Sequence, residues 1–266
     1  MLRNLASAVN IISTNRKMLW KFCLADIKNT YAGSVIGAAW LVLGPLIFFC
    51  FYTLVYTVIF PFKPQDMQQM QYVLHVFCGI SLFLGFSSGL SLGCNSLISN
   101  KSVLLNTVFP SQLIPIRNII VPLSSLIFSM ILVLTVYTLM GNFSWTVIFI
   151  FPIIISFIMM LIGLVWIVSL LTIVFRDIQQ IIGYLTMFLL IISPIAYTKA
   201  MIPSHIKIII YLNPLSYYII PLQDALVLGK VPSIPMMSIG LMFSLFLFSF
   251  GNKTFESAKK IVFDYV

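Results

Sequence analysis

Charge is what this sequence has least of. Only 8% of its 266 residues are Asp, Glu, Lys or Arg, while 61% are hydrophobic and the mean hydropathy is +1.09. A soluble domain carries about 25% charged residues, and surface-to-volume scaling leaves a fold of this length too much outer surface to hide so much apolar area. A water-soluble protein is excluded; the composition implies an all-α integral membrane protein. Acids are scarcer than bases, 6 against 15, for a net charge of +9. In a membrane protein such an excess marks loops held on the cytoplasmic side, so no nucleic-acid partner is expected. The four cysteines stand singly without CxxC spacing and read as small buried hydrophobes rather than a disulfide framework. The two histidines, His75 and His205, have no cysteine or carboxylate beside them, so no metal site is expected. Scattered acids and isolated histidines offer no pair for acid–base work, and no catalytic residue is assigned. The phosphate-cradling string GxxxxGK[ST] does not occur, so this chain is not expected to hydrolyse ATP or to bind a cofactor of its own. Nothing near the start reads as a cleavable signal.

What is present is long apolar runs. A helix needs about 20 apolar residues to cross the hydrocarbon, and six runs qualify: 35–60, 72–98, 118–140, 145–175, 178–198 and 233–250. Before them, 1–34 forms a cytoplasmic N-terminal segment; 35–266 is the transmembrane domain. The stretch 199–232 tempts a seventh span, but Asn213-Pro214 breaks its centre and Pro221 follows. Proline removes a backbone donor and clashes with the preceding turn, so two short helices hinged at Asn213-Pro214 are expected to dip into the membrane and return. With six spans, one side holds Arg3, Arg16, Lys17, Lys21, Lys28, Lys101, Arg117, Arg176, Lys253, Lys259 and Lys260. The other holds Lys63, Lys199, Lys207 and Lys230. A bias of 11 against 4 puts both termini in the cytoplasm.

Between Arg117 and Lys199 the only charged residues are Arg176 and Asp177. A charge at the bilayer centre costs at least about 2.5 kcal/mol, so this pair belongs in a very short cytoplasmic turn, as an anchor or as a contact. In 14–31, Trp20, Leu24, Ile27 and Tyr31 fall on one helical stripe and Lys17, Lys21 and Lys28 on the next, the pattern of a helix lying in the membrane interface. In the loop 99–117, Asn100 or Ser102 suits a helix cap and Pro110 a helix end. Phe48, Tyr52 and Tyr56 make an i, i+4, i+8 stripe on the first span; Tyr184 and Phe188 repeat it on the fifth, with Tyr197 near its outer end. Packing accounts for such aromatics.

Several stretches in order carry a resemblance. YAGSVIGAAW at 31–40 leads into the first span and Gly44-Pro45 follows. Then come NKSVLLNTVFPSQLIPIR at 100–117, FRDI at 175–178, SPIAY at 193–197, Ile202-Pro203 and NPLSYYI at 213–219. This order resembles the membrane subunits of type-2 ABC exporters for cell-surface polysaccharides, the O-antigen, capsule and teichoic-acid permeases, from about Tyr31 to about Leu226. The resemblance implies a homodimer in the bacterial inner membrane, driven by two copies of a separate ATPase that binds ATP and Mg. It would export a lipid-linked polysaccharide, O-antigen above all, as a step in lipopolysaccharide biosynthesis. It further implies that Lys101, Phe109 and Pro110 dock into the ATPase, with Arg176 and Asp177 as a second contact or inner gate. Phe48, Tyr52, Tyr56, Tyr184, Phe188 and Tyr197 would line the channel, and Pro203, Asn213 and Pro214 would lie in an outer gate at 199–232. A drug or lipid exporter of the same type is the alternative. An embedded glycosyltransferase would need paired carboxylates near a membrane face. A secondary transporter would need a mid-membrane ionisable group.

Overall fold

The computed structural model describes residues 2–59, 64, 67–101, 110–198, 201 and 208–265, with backbone alone for 2–4 and 259–265. Every regular element among them is helical. In chain order these are α1 (Leu2–Thr14), α2 (Arg16–Thr30), α3 (Trp40–Leu54), α4 (Gln69–Cys94), α5 (Ser96–Ser99) and α6 (Leu113–Asn118). They continue with α7 (Ile120–Leu139), α8 (Ile150–Val174), α9 (Ile178–Ile192), α10 (Ile208–Leu212), α11 (Ser216–Leu226) and α12 (Ile234–Tyr265). One 3-10 turn leads into α3 and another, Trp145–Phe149, into α8; a π-helical turn, Val55–Ile59, ends the first span. Five helical stretches among the described residues are long and apolar enough to cross a membrane: Gly37–Ile59, Gln69–Cys94, Leu113–Leu139, Trp145–Val174 and Ile234–Ala258.

α4 is the central helix. Tyr72 through Phe83 is buried without a break, and α3, α7, α8, α9 and α11 pack around it. A stripe-shaped apolar face would bury one side only; α4 is apolar all round, which is why it sits in the middle. The most extensive helix pair is α8 against α12, where Gly163 and Gly251 bring two backbones together. A Cβ on Gly251 would lie 2.4 Å from the Gly163 carbonyl oxygen, and one on Gly163 would lie 2.5 Å from the Leu247 carbonyl. In lipid no hydrophobic effect drives helices together, so close van der Waals contact through small residues does that job.

The expected spans differ from the observed helices at their ends. α12 runs on to Tyr265, 32 residues or about 48 Å at 1.5 Å per residue, so its last turns stand clear of a bilayer about 30 Å thick. They receive α1, a helix not anticipated because its apolar run is too short to stand out. Ala8 is buried and Ser7 Oγ donates to Glu256 Oε1. α9 is shorter than the expected 178–198: its 15 residues make about 22 Å of helix. Pro194 forces Ser193 into extended backbone, and Ser193–Thr198 continues without helix.

The break at Asn213-Pro214 is present, between α10 and α11. Asn213 is buried; its side-chain oxygen accepts from the Leu215 amide at 3.0 Å and its Nδ2 donates to Ser193 Oγ at 2.9 Å. α11 is buried along its length and tied to its surroundings by polar bonds. Gln223 Nε2 donates to the His75 and Ile195 carbonyls at 3.1 and 3.2 Å, and Thr146 Oγ1 donates to the Ala225 carbonyl at 2.7 Å. The bond to Ile195 satisfies a carbonyl in the irregular backbone after α9, where no helix partner is available. α10, in contrast, leaves Ile208, Tyr211 and Leu212 exposed.

Candidate functional site

The end of the bundle that carries the basic residues is organised by α2. On its inner face Leu19 and Phe22 pack on the core and Cys23 is buried, while Trp20 and Leu24 point outward and Lys17, Lys21 and Lys28 are exposed. That outward apolar stripe beside a basic one is the geometry of an interfacial helix. Asp26, on the inner face, meets Arg117 at the end of α6 in a two-pronged ion pair, Nε to Oδ2 and Nη2 to Oδ1. Arg117 also lies over the Phe22 ring, 5.0 Å from its centroid. A planar guanidinium matches a carboxylate in this way, and the charged bonds are stronger than neutral ones. Burial pushes the Cys23 thiol up to about 11, with the Asp26 charge adding to it and Arg117 opposing.

Sequence reasoning missed this pair. Its signal was thin: Asp26 is the one acid in a basic helix, and Arg117 the lone cation at the mouth of the third span. Trp166 completes the platform by donating from Nε1 to the Gln112 carbonyl at 2.9 Å, which fastens the approach to α6 onto α8.

Of the residues expected to meet a driving subunit, Lys101 is exposed after α5 and Pro110 lies three residues before α6; Phe109 lies outside the described residues. Asn100 closes α5, its Nδ2 donating to the Ser96 carbonyl at 2.8 Å; the short helix that Asn100 or Ser102 was expected to cap lies outside the described residues. Arg176 and Asp177 form the two-residue turn between α8 and α9, both exposed. Asp177 stands at the N-terminus of α9, where the helix dipole favours an acid.

The aromatic stripe on α3 is continuous. Phe48 and Tyr52 have centroids 4.8 Å apart, Tyr52 stacks on Tyr56 at 5.9 Å, and Tyr56 meets Tyr72 of α4 edge-on at 5.5 Å. Tyr72 Oη then donates to the Ala196 carbonyl at 2.8 Å, joining the stripe to the segment after α9. Tyr197 is half-buried there and folds back to donate to the Ile192 carbonyl at 2.6 Å. Tyr184 and Phe188 are not brought onto the stripe within one chain: they are 75% and 59% exposed on the outer face of α9. Pro203 lies outside the described residues; Asn213 and Pro214 hold the α10–α11 break. His75 is buried on α4, and neither ring nitrogen has a hydrogen-bond partner. Among the described residues no three His, Cys, Asp or Glu gather as a metal site would require.

The family described as ABC-2 type transporter matches residues 19–227. An O-antigen export system permease protein RfbA of Klebsiella pneumoniae is 27% identical over 213 residues, 77% of this chain and 78% of that one. A second Klebsiella pneumoniae protein of that name is 28% identical over 211 residues, with the same shares covered. A protein of that name from Myxococcus xanthus is 23% identical over 250 residues, 92% of this chain and 94% of that one. The family match starts inside α2, takes in the ion pair, the aromatic stripe and the α10–α11 break, and ends just past α11; the chain belongs to the ABC-2 type transporter family.

Proposed function

We propose that this chain is the transmembrane subunit of an ATP-driven exporter that carries a lipid-linked polysaccharide, of the O-antigen kind, from the cytoplasmic to the outer side of a bacterial inner membrane. The observation that carries the reading is the similarity, over more than three quarters of the chain, to permeases named for O-antigen export. Two copies of the chain form the pore, and two copies of a separate ATPase supply ATP, Mg and the driving force. Export of capsule or teichoic acid remains within the same reading.

The residues divide the work as follows. α2, held to α6 by Asp26 and Arg117, is a rigid shelf in the cytoplasmic interface, and Lys101, Phe109 and Pro110 dock into the ATPase. Arg176 and Asp177 offer a second contact at the same end. Phe48, Tyr52 and Tyr56 line the sugar path, and the exposed Tyr184 and Phe188 complete it across the dimer. Exposed apolar side chains on α9 support this arrangement, since a second copy gives them a partner. Tyr197 marks the outer end. Asn213-Pro214 is the fixed pivot of the outer gate, with buried α11 as its base and exposed α10 as its moving part, and Pro203 belongs to the same gate.

The test is deletion of the chain in its native host, with surface polysaccharide read by gel and antibody. Loss of surface glycan with intracellular lipid-linked glycan accumulating is expected, restored by the wild-type chain but not by Lys101→Glu with Phe109→Ala. Undiminished surface glycan in the deletion strain refutes export.

A further inference from the structure

A cleft of about 620 Å³ opens between α3, α4 and α7, beside the link from α2 to α3. Its volume lies within the range of small-molecule sites, about 300–1,000 Å³. Seven of its fifteen lining residues carry a hydroxyl and none carries a charge. Some of these hydroxyls are already engaged: Ser129 Oγ donates to the Ser125 carbonyl at 3.0 Å, and Ser34 Oγ accepts from Trp40 Nε1 at 3.1 Å. Three are not. Ser81 is only 5% exposed and its Oγ has no partner; half-buried Ser125 and exposed Ser88 carry no side-chain hydrogen bond either, and all three line the cleft. Serines on membrane helices ordinarily bond back to a carbonyl of the preceding turn, as Ser129 does. An orphaned hydroxyl in an apolar bundle is a cost to stability unless something else meets it.

The chemistry of the cleft selects its occupant. An acyl chain leaves the three hydroxyls unmet. A phosphate needs a cation, and the lining holds none. An uncharged sugar ring meets both demands, since its hydroxyls donate and accept as serine does. Tyr31 and Trp40, both in the lining, offer faces for the apolar side of a pyranose. Phe48 is shared with the aromatic stripe, whereas Tyr52 and Tyr56 lie outside the cleft.

We propose that this cleft is a sugar-binding subsite built on Ser81, Ser88 and Ser125, which receives an uncharged pyranose of the glycan at the basic end of the bundle and hands it to the stripe at Phe48. Its place on the export route rests on the export reading above; its affinity for sugar does not.

The test uses the full chain in nanodiscs, with its four cysteines replaced by alanine and the cleft-lining Leu84→Cys as the reporter. Maleimide labelling of Cys at that position is followed while dodecyl maltoside or dodecylphosphocholine is titrated in. Protection by the maltoside at concentrations where the phosphocholine gives none is expected. The midpoint should rise about tenfold, the equivalent of about 1.4 kcal/mol, when Ser81→Ala and Ser125→Ala are added. The double alanine should leave the unfolding temperature unchanged or raised, because the hydroxyls it removes bond nothing in the free chain. Equal protection by both detergents, no protection by maltoside, or protection indifferent to the alanines overturns the subsite. If the subsite binds maltoside as described while the deletion strain still displays surface glycan, the export reading falls and the sugar site stands.

Discussion

Replacing Asp26 by Asn leaves Arg117 charged, 13% exposed and without its carboxylate. Breaking a fully buried pair from one side costs about 3–5 kcal/mol, because the surviving charge keeps its desolvation without its partner. Here both side chains retain some water, Asp26 at 19% exposure, so about 2–3 kcal/mol is expected for Asp26→Asn and the same for Arg117→Met. The methionine also removes the contact of the guanidinium with the Phe22 ring, worth about 0.5–1 kcal/mol. The double variant strands no charge and should cost no more than the worse single one, giving a coupling energy of about 2 kcal/mol. Unfolding in mixed micelles, followed by tryptophan fluorescence, measures the four corners of the cycle. Moderate salt should change the result little, since a half-buried pair is poorly screened. Loss of the pair also frees α2 from α6, so surface glycan should fall in both single variants even where protein levels hold. A coupling energy below about 0.5 kcal/mol, the value of an exposed surface pair, refutes the idea that this contact fastens the shelf.

Leucine at both Tyr52 and Tyr56 keeps α3 apolar but removes two hydroxyls and two stacking faces, so export measured by surface glycan should fall while insertion persists. Phe51→Leu is the proper control, being exposed, whereas Phe49 is buried against Phe77; equal losses from the two variants would reduce the stripe to packing. Gly251→Ala should lower stability by about 1–3 kcal/mol through forced separation of α8 and α12, and Gly251→Val should abolish accumulation of the protein; wild-type accumulation of the valine variant contradicts the close crossing. Cys23, with its thiol pushed up to about 11 by burial, holds about one thiolate per thousand at pH 8, and its alkylation should climb about tenfold per pH unit toward that value. Measured in the full chain with Cys50→Ser, a rate that levels off near pH 8.5 contradicts the buried setting.

The membrane class, the apolar runs and the break at Asn213-Pro214 were legible in the sequence because each has a local cause. Twenty apolar residues have no other solvent to prefer, and a proline ends or bends a helix whatever surrounds it. The stripes of α2 were legible for the same reason, since helical periodicity determines which side chains share a face. Tertiary structure alone decided how those stripes are used. Asp26 and Arg117 stand 91 residues apart, and nothing local to either residue indicates that α2 crosses α6. Gly163 and Gly251 look like ordinary helix glycines until two backbones meet there. α9 ends at Ile192 in the middle of an unbroken apolar run, because a proline at its edge and the Asn213–Ser193 bond outweigh hydropathy. The unmet hydroxyls of Ser81, Ser88 and Ser125 come from two helices, α4 and α7. Periodicity says which residues share a face, but only the packing of the helices says whether that face meets a neighbour, the lipid or an open cleft.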